Sequence, residues 1–266
     1  GADGPLRLSG RMSCGRDGGV SFPQSYVEQG VDDADLVLMI TTRPALGSTM
    51  AWAVACERDQ NGRPIAGQVN VDPQHLSQPA SGEVSLLQKV LLHEITHVLG
   101  FDPDSLPFYR SAEGSVREDL VRTDGGVTRV HAPRMELRAR QHFGIYDESS
   151  PFPGLELEDD GGKGTKSSHW ERRIMGTEIM TGTVSPDAKY SLITLALLED
   201  SSWYQVISGD FVNSNPQAGF EWGKGEGLHF LTGACETRSR GYHCADRQNT
   251  KACTATRHAE GYCSAD

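Results

Sequence analysis

The chain lacks an apolar run that could cross a bilayer: its most apolar stretch, residues 84–101, is interrupted by His93, Glu94 and His97. It lacks an Asn-X-Ser/Thr sequon, so nothing in it speaks for N-glycosylation. It lacks a Cys-X-X-Cys pair, which argues against a structural zinc site among its cysteines. Positive charge is scarce. There are 25 Lys and Arg against 36 Asp and Glu, a net charge of −11, which excludes nucleic acid as an expected partner and leaves a solvated acidic surface. No internal repeat or low-complexity segment is present. The opening Gly1-Ala2-Asp3-Gly4 has neither a charged-then-apolar leader pattern nor an initiator Met, so a mature or trimmed form is expected. What is present is a 266-residue chain, 37% hydrophobic and 23% charged. That is enough for a globular protein of one large or two small domains.

The most informative residues are His93-Glu94-Ile95-Thr96-His97. Histidines four apart project from one helix face, about 40° out of line. Both rings can reach one metal ion, and the intervening glutamate can face a metal-bound water. The bland alternative is two core histidines bonded to backbone carbonyls. Leu86, Leu87, Val90, Leu91, Leu92, Ile95, Val98 and Leu99 predict a helix apolar on most sides and therefore buried. Two imidazoles and a carboxylate buried there are costly unless something binds them.

Around this helix, residues 35–42 read as a buried strand, and 51–56 and 67–71 as two more. Asn61-Gly62-Arg63-Pro64 marks a turn between the latter two. Ser81 is the expected N-cap and Glu83 suits the first turn, while Gly100 is placed to end the helix in a left-handed conformation. Residues 102–130 read as irregular, 135–143 as a short basic helix, and 190–199 as a helix. The acidic then glycine-rich stretch 155–164 reads as a solvated loop; its spacing does not match an EF-hand.

Six cysteines occur: Cys14, Cys56, Cys235, Cys244, Cys253 and Cys263. The last four lie in a segment with few core-forming residues, where disulfides are the usual staple; this predicts an oxidising compartment and leaves three pairings open.

A catalytic zinc needs three protein ligands and an open position. His75, His131, His142, His229, His243 and His258 are formal candidates for the third. His169 stands out: it follows the glycine loop and precedes Glu178-Ile179-Met180-Thr181-Gly182, a candidate tight turn around a methionine. With these pieces the chain resembles the leishmanolysin family of metzincin zinc peptidases. The match rests on the string from His93 to Phe101, on Ser168-His169-Trp170-Glu171 and on Glu178-Ile179-Met180. Metzincins usually place the third histidine shortly after the glycine. This family carries a long insertion there, and His97 and His169 are numbered 72 apart. Ala51-Trp52-Ala53, the acidic loop, residues 195–204 and Trp222-Gly223-Lys224-Gly225-Glu226-Gly227 extend the likeness from about Cys14 to Cys235.

The resemblance implies an α+β metzincin-type fold: an upper mixed sheet with the active-site helix (1–100), a lower mostly helical and irregular subdomain with the insertion (101–233), and a disulfide-rich tail (234–266). It implies one catalytic zinc on His93, His97 and His169, with Glu94 as general base for a zinc-bound water. Met180 would form the hydrophobic floor under the metal, and Gly100 would end the helix. The implied function is endopeptidase action on proteins or peptides, outside the cell or at its surface. The rival reading is a catalytically silent metzincin-fold binding or adhesion module, against which the intact Glu94 argues.

The departures are specific. The family has a long helix behind the active-site helix and a zinc-blocking pro-segment. Neither is found here, so a trimmed form, or a second polypeptide completing the fold, is expected. No lipid-anchor tail is expected after Asp266. Ile145 and Leu228 stand where the family has cysteines, and their joint replacement leaves no orphan thiol. Cys14 and Cys56 then look like a pair. Thiol titration of the denatured, unreduced chain is expected to find no free thiol; one or more would overturn this pairing scheme.

Overall fold

Three of the strand-forming runs pair around one central strand in the computed structural model. It describes residues 4–10, 14–15, 19–76, 86–160, 162, 164–206, 219–233, 242, 251–253 and 260–262. Ser81, Glu83, Cys235, Cys244 and Cys263 lie outside the described residues. The chain is α+β and divides into two units, Gly1–Arg117 with Ser201–Trp203, and Glu118–Asp200 with Tyr204–Asp266.

In the first unit, a short helix α1 (Gln24–Glu28) precedes β1 (Val37–Thr41), β2 (Ala51–Arg58) and β3 (Pro64–Val71). β3 is central, parallel to β1 and antiparallel to β2, so the sheet is mixed as expected. Every residue of β3 is buried. β1 is less buried than its apolar run suggests, with Ile40 exposed. An edge strand keeps one flank open, and the hydrophobic run alone does not reveal that.

The register of β2 shifts between Ala55 and Glu57, and Cys56 at that irregularity is disulfide-bonded to Cys14. The β2–β3 turn is held by the Asp59 carboxylate, which accepts from the backbone N–H groups of Asn61 (2.8 Å) and Arg63 (3.0 Å). A small cluster of Leu8, Ile65 and Ala66 packs with Leu6, Phe22, Tyr26, Val27 and Cys56.

The long helix α2 (Leu86–Leu99) lies on β2 and β3. Gly67 of β3 allows this approach. A Cβ there would stand 2.4 Å from Val98 Cγ1 and 3.0 Å from the Val54 carbonyl oxygen. The expectation that α2 is buried is met in part. Gln88, Leu92, Ile95 and Leu99, spaced four, three and four, form its more accessible stripe, with Leu92 45% exposed. Lys89, His93, Glu94, Thr96 and His97 are buried.

In the second unit, β4 (Val121–Asp124) and β5 (Val127–Val130) form a hairpin closed by Gly125 and Gly126, both at positive φ. Residues 102–130, expected to be irregular, contain this hairpin; its strands carry no apolar alternation, and β4 is exposed throughout. Helix α3 (Pro133–Phe143) follows, then β6 (Leu155–Glu156), which pairs with β5. Helices α4 (Arg172–Met175), α5 (Leu192–Asp200) and α6 (Leu228–Thr232) come next, and β7 (Lys251–Cys253) pairs with β8 (Glu260–Tyr262). α3 packs on α5, and the fully buried Asp200 accepts from the backbone N–H groups of Met135 (2.9 Å) and Arg134 (3.2 Å). A carboxylate there offsets the unpaired donors and positive dipole end of α3.

Gly67→Ala is expected to destabilise the protein by about 1–3 kcal/mol in urea unfolding, the usual range for overpacking, and Val98→Ala in the same chain to recover part of the loss. A single variant as stable as the parent would show that the helix–sheet spacing is not set at Gly67.

Candidate metal centre

The helix period carries His93 and His97 to the same side of α2, and both are buried. Their rings meet edge to face with centroids 4.6 Å apart, and their Nε2 atoms are 3.0 Å apart. Two imidazole nitrogens sharing a tetrahedral zinc stand about 3.3 Å apart, given bonds of about 2.0–2.1 Å. His97 Nδ1 lies 2.7 Å from the Phe101 carbonyl oxygen. A carbonyl only accepts, so Nδ1 carries the proton and the neutral ring presents its Nε2 lone pair toward His93.

Phe101 can do this because the chain turns at once after the helix. Gly100, at φ +128°, takes a backbone conformation that suits glycine, and a Cβ there would meet Trp203 Cζ3 at 2.9 Å. Trp203 is held nearby: it packs edge-on against Tyr109, and its Nε1–H donates to the Asn61 carbonyl. Glu94, between the two histidines, is buried as well.

His169 is buried on a segment clamped by backbone hydrogen bonds on both sides. The Glu158 N–H donates to the His169 carbonyl (2.9 Å), the Trp170 N–H to the Met180 carbonyl (2.8 Å) and the Glu171 N–H to the Glu156 carbonyl (2.9 Å). Its ring Nδ1 is 3.0 Å from the Thr165 carbonyl oxygen and 3.0 Å from Ser168 Oγ. As with His97, the carbonyl fixes the proton on Nδ1 and leaves Nε2 with a lone pair. Burial holds His169 below the ordinary imidazole pKa, against the opposing pull of Thr165, and so favours the neutral ring that a metal needs.

His93, His97 and His169 are buried histidines that could hold a metal ion. Imidazole nitrogens are a donor set that suits zinc. Met180, read as the floor of the site, is fully buried. Of the other histidines considered, His142 instead bonds to the Trp222 carbonyl at 2.7 Å and stacks on Phe220. His243 and His258 lie outside the described residues.

Sequence reasoning missed the carbonyls of Phe101 and Thr165, because backbone acceptors leave no mark on side-chain identity. Glu171, beside His169, could be read from sequence equally as a cleft residue or a surface charge. Glu171 is buried, caps α4 through the Arg173 N–H (3.1 Å) and pairs with Arg173 Nε at 3.3 Å. Burial, together with repulsion from Glu158, Asp159 and Asp160, pushes its carboxyl up to about 7. Glu158, Asp159 and Glu171 also bring carboxylate oxygens within 4.8 Å of one another.

Sequence comparison bears on what this group is. The family described as leishmanolysin matches residues 7–266. A leishmanolysin-like peptidase of Drosophila pseudoobscura pseudoobscura is 31% identical over 86% of this chain and 41% of its own length. A ciliated left-right organizer metallopeptidase of Xenopus laevis is 32% identical over 92% of the chain and 34% of its own. A leishmanolysin of Leishmania donovani is 28% identical over 96% and 40%. The chain thus spans about two fifths or less of the length of these relatives.

Glu171 yields a pH-dependent expectation. Its folded pKa stands above its unfolded value, so folding takes up a proton, and stability falls as pH rises from about 4.5 through about 7. Glu171→Gln keeps the capping oxygen and removes that loss. Relative to the parent, the variant is expected to gain on the order of 2 kcal/mol at pH 8 over pH 4.5. Parallel urea curves at the two pH values would test this, and an equal difference in both proteins would overturn it.

Proposed function

Because the chain belongs to the leishmanolysin family, we propose that it carries the catalytic core of a zinc-dependent endopeptidase, with His93, His97 and His169 as ligands to one zinc ion and Glu94 as general base. The observation that carries this reading is the buried three-nitrogen group, in which the Nδ1 protons of His97 and His169 are committed to backbone carbonyls. Such second partners fix the tautomer and aim Nε2 at the metal. Bound there, zinc supplies Lewis acidity, polarising the scissile carbonyl and acidifying a water. Glu94, one residue after the first ligand on the same helix, takes the proton of the attacking water and later delivers it to the leaving amine. Gly100 ends the helix so that the Phe101 carbonyl can reach back to His97, and Met180 provides an apolar floor.

The metzincin division into 1–100, 101–233 and a disulfide-rich tail from 234 to 266 belongs to the same proposal. So do protein or peptide substrates, and a pro-segment or second polypeptide completing the fold. An extracellular or cell-surface setting is supported by the Cys14–Cys56 disulfide, since such bonds persist in oxidising compartments. Among the described residues no helix is long and apolar enough to cross a membrane.

Metal content and casein cleavage, measured on the same samples, test the reading. One zinc per chain is expected in the parent and in Glu94→Ala, with cleavage reduced at least about 100-fold in the variant. His169→Ala is expected to lose both zinc and cleavage. Zinc bound with no cleavage in the parent would favour the silent binding module instead.

A further inference from the structure

Glu178 is a carboxylate with no exposed surface, held by donors from the backbone and from hydroxyls. Four donors converge on it. The Met180 N–H reaches Oε2 at 2.5 Å, while Oε1 receives the Ser191 N–H (3.1 Å), the Ser191 hydroxyl (2.8 Å) and the Thr194 hydroxyl (2.6 Å). Ser191 in turn accepts from the Thr194 N–H at 3.1 Å at the start of α5. Burial pushes the Glu178 carboxyl upward in pKa and the hydrogen bonds pull it down. With every neighbour donating, the ionised form is the one this geometry satisfies.

The network continues to the third histidine. Thr194 Oγ1, having donated to Glu178, accepts the indole N–H of Trp170 at 2.9 Å. Trp170 is fully buried, follows His169 in the chain, and donates its own N–H to the Met180 carbonyl. Trp170 is also bridged to Thr181 on one side and to Leu157 on the other. One carboxylate therefore holds the methionine turn directly and the residue after His169 through a single hydroxyl. Removing a buried acceptor that serves several donors leaves each of them unsatisfied.

We propose that Glu178 is a positioning residue for the metal centre: it locks the Met180 turn and, through Thr194 and Trp170, the backbone that aims His169. This inference rests on the zinc reading above. An amide cannot replace the carboxylate, because its NH2 would face either the Met180 N–H or the three donors from Ser191 and Thr194.

The test is zinc affinity of the full chain, by competition with a chromophoric chelator, for the parent, Glu178→Gln, Thr194→Val and His169→Ala. Circular dichroism checks folding, and urea curves of the metal-free forms report stability separately. Glu178→Gln is expected to weaken zinc binding about tenfold or more, and Thr194→Val by a smaller factor of about three, as supporting contacts to metal ligands do. The cobalt-substituted absorption spectrum is expected to change in both. A purely structural role would lower metal-free stability and leave zinc affinity alone. Zinc affinity within about twofold of the parent in every variant that folds, with His169→Ala still losing the metal, would overturn this inference and spare the zinc reading. Should Glu178→Gln not fold, Thr194→Val decides by the same criterion. A parent that binds no zinc would overturn both.

Discussion

The constraint on which the site depends is the burial of polar and titratable side chains on α2, alongside Val90 and Val98. A surface helix ordinarily turns apolar side chains inward and polar ones outward. Here Lys89, His93, Glu94, Thr96 and His97 are buried while Leu92 is exposed. Burying ring nitrogens and a carboxylate costs several kcal/mol in total unless each finds a partner. The fold answers part of that cost with backbone atoms: Thr96 Oγ1 donates to the Leu92 carbonyl, and His97 Nδ1 to the Phe101 carbonyl. The carbonyl holding His97 leaves its Nε2 as a lone pair, and that atom is the one facing His93.

His169 is held by different means. A helix sets the spacing of His93 and His97 by its period, so four residues suffice. His169 has no such period behind it. Its position comes from the Trp170–Met180, Glu158–His169 and Glu171–Glu156 backbone bonds, with single β-bridges from Trp170 to Leu157 and to Thr181. Its ring is then turned by the Thr165 carbonyl from the loop before it. The strip of backbone bonds, and not a helical period, fixes where the His169 ring sits.

How much was legible in the sequence follows from the same distinction. The three strands of the first sheet, α2, α3 and α5 could be read because apolar runs and periodicity, with Gly100 after α2, leave a mark in residue identity; their mixed pairing was implied only by the family likeness. The grouping of His93 with His97 was readable from spacing. His169 could be singled out only from its wider context, the glycine loop before it and the methionine turn after it, together with the family likeness, since Ser168-His169-Trp170 alone looks like any core histidine. The Gly125-Gly126 hairpin was missed because its strands are exposed and polar, so the period-2 signal is absent. The exposure of Leu92 was missed because composition says which residues are apolar and not which face a neighbour covers. The carbonyl partners of the histidines were invisible because every residue has a carbonyl.

Burial around His169 acts in one chemical direction with opposite signs. Removing water disfavours whichever form of a group carries charge. It therefore lowers His169 toward the neutral ring and raises Glu171, two residues on, toward the neutral acid. A neutral imidazole is what a metal needs, so for His169 the desolvation serves the site. For Glu171 it works against folding near neutral pH, and the cap on α4 and the Arg173 contact only partly offset it. Neighbouring residues that share one dry environment cannot be tuned independently, and the strain at Glu171 accompanies the neutrality of His169.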